Sequence, residues 1–195
     1  MTLLLSMAAF ALVSSITPGP VNLVALGSGA RHGLRATLAH ITGATAGFTV
    51  LLVLIGLGLY EVLSRWPLLT TGIRLAGVLY LLYLAWKLAS DNGLLQADGS
   101  SSRPTLLGGA AMQWLNPKAW LASVAGMGAF AADGDSGTVG RFALIYFVVC
   151  YASIACWAVA GTYLQRHLVK AASVRLFNRA MAVLLTLCAA GLLVE

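Results

Sequence analysis

The sequence predicts an all-α membrane protein of six transmembrane helices, arranged as two inverted three-helix repeats with helices 1 and 4 broken at Pro18-Pro20 and Pro117. Three observations lead there. Only 9% of the residues are charged and 59% are hydrophobic, with a mean hydropathy of +0.88, whereas a soluble domain carries about 25% charged residues. Six stretches reach or approach the ~20 apolar residues a helix needs to cross a bilayer. The first and fourth of these are interrupted by proline at corresponding places.

Segment one covers residues 3–26 and is broken at Thr17-Pro18-Gly19-Pro20, followed by Asn22. Thr17 stands in the capping position before Pro18, because threonine caps helix starts and proline suits a first helical turn. The first 16 residues are apolar like a secretory signal but lack its basic leading region, so they are read as membrane segment. Segment two, residues 37–60, carries His40 and the small residues Ala39, Gly43 and Gly47. Their spacing of four lets helices approach closely in lipid. Segment three, residues 68–88, contains Arg74 and places Tyr80, Tyr83 and Trp86 towards its end, as an interfacial belt does.

Segment four, residues 105–132, has Lys118 as its only charge. Within Met112-Gln113-Trp114-Leu115-Asn116-Pro117-Lys118, Asn116 is a strong N-cap type and proline is favoured at the first helical position, so a new half-helix starts there. Segment five, residues 142–165, has no charge. Segment six, residues 176–194, takes in Arg179, whose long stem can reach the interface.

Residues 1–195 are expected to form a single transmembrane transporter domain, with repeats at about 1–90 and 105–195 and a polar connector at about 91–104. Three spans in each half require the halves to lie upside down relative to each other. A shift of 99 positions superimposes Thr17-Pro18 on Asn116-Pro117 and Gly27, Gly29 and Ala30 on Gly126, Gly128 and Ala129. Two corresponding broken helices are the pattern of a transporter built from repeats. Orientation follows from basic residues in the connections. The odd connections carry eight (Arg31, Arg35, Lys87, Arg103, Arg166, Lys170, Arg175, Arg179) and the even ones two, Arg65 and Arg141. The positive-inside rule therefore puts the odd connections in the cytoplasm and both termini outside.

A half-helix start exposes backbone N–H groups and the positive end of a helix dipole, and Lys118 adds a full charge there, which makes an anion site. All six acids (Glu61, Asp91, Asp98, Asp133, Asp135, Glu195) lie in connections or at segment ends, so no carboxylate within a segment awaits Lys118. Its partner is expected to arrive as a ligand, and satisfaction by backbone carbonyls is the rival. The expected substrate-binding residues are Thr17, Pro18, Gly19, Pro20, Asn22, Gln113, Asn116, Pro117 and Lys118. His40 is the proton-coupling candidate, with a hydrogen-bonded structural histidine as the alternative.

Other chemistries are poorly served. His32, His40 and His167 stand apart, and Cys150, Cys156 and Cys188 lack metal or redox spacing, so no metal site is expected and the cysteines are read as packing residues. Ser28 in Gly27-Ser28-Gly29 precedes His40 by 12 residues without an oxyanion constellation, so no enzyme is expected. No cofactor motif is present, and the basic residues are not gathered with aromatics as nucleic-acid binding requires. The expected partners are a small-molecule substrate and the lipid bilayer; a homo-oligomer is compatible with the sequence.

At these residues the chain resembles the lysine-exporter superfamily, specifically LysE/RhtB-type bacterial amino-acid exporters. The likeness runs from Thr17-Pro18-Gly19-Pro20 with Asn22, through Gly33-Leu34-Arg35-Ala36 and Leu75-Ala76-Gly77-Val78-Leu79-Tyr80-Leu81, to Leu115-Asn116-Pro117-Lys118-Ala119 and Asn178-Arg179. It departs at Val21, where many relatives have a polar residue, and at Gly126-Met127-Gly128-Ala129-Phe130, where many end in Pro-Gln-Phe. The resemblance implies a six-segment inner-membrane protein that exports amino acids or close derivatives using the proton motive force. A metal-ion exporter of the same superfamily and a non-transporting membrane scaffold are the alternatives.

Overall fold

Proline and glycine punctuate this chain, and the helices begin and end where those residues dictate. The computed structural model describes residues 3–58, 65, 67–90, 104–131, 134–165 and 171–194. The connector expected at about 91–104, apart from Pro104, lies outside the described residues, as do Asp133, Arg166, Lys170 and the side chains of Arg74 and Cys188. Among the described residues there are seven helices and no strands. They are α1 (Leu3–Ile16), α2 (Pro20–Gly56), α3 (Pro67–Ala89), α4 (Leu106–Trp114), α5 (Pro117–Phe130), α6 (Ser136–Gln165) and α7 (Ala171–Val194).

The first break differs in register from the one expected. Thr17 does not cap α2; Gly19 is the N-cap, in extended conformation (φ −167°, ψ 174°), and makes no side-chain cap bond. The cause is Pro20, which takes the first helical position and restricts the residue before it to extended backbone. Helix starts at Pro20 and Pro117 are 97 positions apart, so the 99-position sequence superposition does not align them. The second break matches expectation: Asn116 is the N-cap of α5, and its side chain accepts from the Lys118 backbone N–H.

α2 is too long to cross a bilayer as one straight rod, since its 37 residues would extend about 55 Å. Gly33 divides it. Its φ of +77° and ψ of 169° lie in a region that side chains disfavour, and the connection expected between segments one and two shrinks to this one residue. The part of α2 after Gly33 therefore begins before Thr37, and His40 lies buried along the helix rather than near its end.

Two seams of close approach hold the breaks together. An added Cβ at Gly43 would strike the Leu106 carbonyl of α4, one at Gly47 would lie 2.8 Å from Ala110 Cα, and one at Gly109 would strike His40 O. The close-packing role expected of Gly43 and Gly47 is thus what the helices show, whereas Ala39 is exposed. On the other side, Gly29 meets the Ala158 carbonyl of α6 and Gly161 meets Leu26 O.

The core forms around α2 and α6, where Phe48 stacks on Tyr146 with ring centroids 4.3 Å apart. Phe142 lies 5.2 Å from Phe130 and 6.1 Å from Phe10, closing the same core from α5 and α1. α3 and α7 pair separately through Val78, Leu81, Ala85, Met181, Ala182 and Leu185, and join the rest through Leu23. Leu79, Leu107, Leu144 and Leu176 are 67%, 78%, 67% and 71% exposed, which gives a soluble protein an apolar surface it cannot tolerate. By length and hydropathy, α2 and residues 136–164 of α6 are able to cross a membrane.

Candidate functional site

The end of α1 determines what surrounds it, because the last four carbonyls of a helix have no intrahelical partner. Side chains answer most of this demand. Thr17 Oγ1 donates to Ser14 O at 3.3 Å, and the Asn22 amide donates to Ser15 O at 2.8 Å and to Thr17 O at 2.9 Å. Trp157, on α6, donates from its indole nitrogen to Ile16 O at 3.0 Å. Lys118 completes the set from α5: its Nζ lies 2.8 Å from Thr17 O, 2.7 Å from Thr17 Oγ1 and 3.4 Å from Pro18 O.

The second break is satisfied from nearby. Leu115 N donates to Ala111 O at 3.0 Å and Asn116 N to Gln113 O at 3.1 Å. The Trp120 indole donates to Trp114 O at 2.8 Å, and Asn116 Oδ1 accepts from Lys118 N at 3.2 Å. Trp114 in turn donates to Gly47 O at 3.1 Å and ties α4 to α2.

Between the breaks is a cavity of about 40 Å³, room for roughly three waters at 10–15 Å³ each. Of the nine expected site residues, Gly19, Asn22, Gln113, Asn116 and Lys118 line it. Thr17 and Pro18 are exposed beside it and connect to it through Lys118, while Pro20 and Pro117 set the helix starts rather than the wall. In this conformation the Lys118 ammonium sits on backbone carbonyls, as the rival reading had it. Asn22 spends both of its amide contacts on carbonyls across the break, and the Asn116 amide lies 3.4 Å from Gln113 Oε1.

His40 is not brought to the cavity wall. It is 3% exposed, lies beside the Val21 backbone, and its Nε2 makes no hydrogen bond among the described residues. Ser28 does not face it: Ser28 Oγ pairs with Thr37 Oγ1 at 2.7 Å.

The remaining wall is one that periodicity did not reveal: Ser14, Ser15, Val21, Phe48, Ala119, Ala122, Tyr146, Cys150 and Ile154. Cys150, expected as a packing residue, is buried on this wall. Ser15 Oγ is buried there beside the Tyr146 hydroxyl and the Cys150 thiol. Among the described residues the wall contains no carboxylate.

The family model described as LysE type translocator matches residues 12–195. The chain belongs to the LysE type translocator family. It is 29% identical over 192 residues to a protein of Escherichia coli (strain K12) named cysteine/O-acetylserine efflux protein, with 96% of each chain covered. The protein of that name in Shigella sonnei (strain Ss046) is similar to the same degree, 29% over 192 residues. No solved structure matches. As a LysE type translocator the chain is a membrane transport protein. The family match spans both helix breaks and the cavity between them.

Proposed function

We propose that this LysE type translocator is a secondary active exporter of amino acids or close derivatives across the bacterial inner membrane, driven by the proton motive force. In this reading the helices make six spans in two inverted halves, with the 91–104 connector in the cytoplasm and both termini outside. The observation that carries it is the meeting of two broken helices at one cavity where Lys118 is the only charged residue among the described ones. The names of the relatives support a small substrate such as cysteine or O-acetylserine. A wall without carboxylates among its described residues suits a zwitterion better than a dibasic amino acid.

The substrate carboxylate lies between Lys118 Nζ and the start of α2, whose first-turn N–H groups have no side-chain cap and present an anion site. To bind there it draws Lys118 away from Thr17 and Pro18. The end of α1 then loses its cationic donor, so binding loosens the contact between the halves, and rocking of one half against the other alternates access. His40 carries the coupled proton, and the Ser15 hydroxyl and the Gln113 amide serve the substrate's amino and side-chain groups.

The test is counterflow of labelled cysteine and O-acetylserine in proteoliposomes. Wild type exchanges one or both, and Lys118→Ala, inserted at equal density, falls at least ten-fold, as expected when a hydrogen bond to a charged group is lost. Full exchange by Lys118→Ala removes the site, and no exchange of any amino acid by wild type removes the exporter reading.

A further inference from the structure

α3 and α7 leave a groove on the outer surface, about 640 Å³ in volume, walled by Leu82, Ala85 and Trp86 on one helix and Arg179, Val183 and Leu187 on the other. Nearly all of this wall is apolar, and Trp86, Val183 and Leu187 are 66%, 57% and 61% exposed. The exceptions are Thr186 and, as the one charge among the described lining residues, Arg179. Arg179 makes no hydrogen bond or ion pair among the described residues, and a cation on a lipid-facing wall requires an anion or an escape to water. Lys87, in the last turn of α3, adds a second positive charge.

We infer that this groove binds one anionic phospholipid, its phosphate on Arg179 and an acyl chain along Val183 and Leu187. The dimensions agree. Arg179 and Leu187 are eight residues apart, which is about 12 Å along a helix, most of the ~15 Å depth of one leaflet. Trp86 stands at the level of the headgroups, where indoles concentrate. A basic pocket between membrane helices on the cytoplasmic side is the setting in which acidic headgroups are held. A second copy of this chain is a poorer occupant, since a two-fold contact through the groove would bring two Arg179 guanidinium groups together. The assignment to the cytoplasmic leaflet rests on the orientation proposed above; the site does not depend on what is transported.

Native mass spectrometry of the full-length detergent-solubilised protein, with added phosphatidylglycerol or phosphatidylcholine, tests this. Wild type retains one phosphatidylglycerol in preference to phosphatidylcholine. Arg179→Gln lowers that retention about five-fold, Arg179→Lys keeps most of it, and Val183→Trp, which fills the groove without touching charge, abolishes it. Equal retention of the two lipids, or retention unchanged in both Arg179→Gln and Val183→Trp, overturns the inference. A lipid-free dimer disrupted by Val183→Trp also overturns it and assigns the groove to a second copy.

Discussion

The two broken helices solve one problem by opposite means. In each, a terminal carbonyl is taken by a tryptophan indole: Ile16 O by Trp157 at 3.0 Å and Trp114 O by Trp120 at 2.8 Å. Trp120 is six residues from its acceptor, whereas Trp157 is 141 residues away on another helix. The α4/α5 break is capped by Asn116 and closed by neighbours. The α1/α2 break has no side-chain cap and borrows donors from α5 and α6. One break is complete in itself and the other is complete only while the helices around it stay in place. The dependent one is therefore where a ligand that captures Lys118 has the most to change.

Asn22 gives the largest expected effect on stability. Asn22→Ala removes bonds to Ser15 O and Thr17 O; Thr17 O keeps Lys118, but Ser15 O loses its side-chain donor in a buried setting, which costs about 1–3 kcal/mol. For a chain of this size, at about 2–4 °C per kcal/mol, that lowers the melting midpoint by about 2–12 °C. Asn116→Ala loses one cap, about 1 kcal/mol, because its neighbours still serve the other groups. Melting curves in detergent decide the order. If Asn116→Ala costs as much as Asn22→Ala, the second break is not self-sufficient.

The tryptophans separate the breaks more finely. Trp157→Phe and Trp120→Phe each remove one neutral hydrogen bond, worth about 0.5–1.5 kcal/mol, yet the consequences differ in reach. Trp157→Phe unties α1 from α6 and speeds hydrogen exchange at the Thr17 amide, which bonds Val13 O at 3.4 Å. Trp120→Phe speeds exchange only at Leu115 and Asn116. Faster exchange at both breaks from either substitution would show that they are coupled by more than Lys118.

What the sequence made legible follows from how local each cause is. Asn116 and Pro117 act within their own turn, so the start of α5 could be read from residue preferences alone. The start of α2 was misplaced because Pro18 and Pro20 both suit a first helical position, and only the folded chain chooses Pro20. Lys118 was recognisable as a cation needing a partner, but its contact with Thr17 spans 101 positions and no pattern in the chain encodes it. Phe48, Tyr146 and Cys150 were hidden for another reason. A membrane helix is apolar on every face, so hydrophobic periodicity does not say which face meets a cavity. The seams at Gly43 and Gly47 were visible because close helix approach demands small residues at a fixed spacing.

A third helix start sharpens the comparison from outside the membrane core. Asp135 precedes α6, and its carboxylate accepts from the Thr138 backbone N–H at 2.8 Å and from Thr138 Oγ1 at 2.7 Å. Those two bonds, the hydroxyl first, hold its pKa below the ordinary 3.8. A depressed folded pKa means the carboxylate contributes stability above pH 3.8 and loses that contribution as pH falls through the lower folded value. Asp135→Ala therefore gives the smallest shift in melting at neutral pH, because the group is fully exposed, and the difference from wild type closes in acid. No carboxylate among the described residues lines the cavity at the Lys118 break, so the Lys118→Ala deficit persists over the same range. A deficit of Asp135→Ala that widened towards acid would mean the cap is not what sets this helix start.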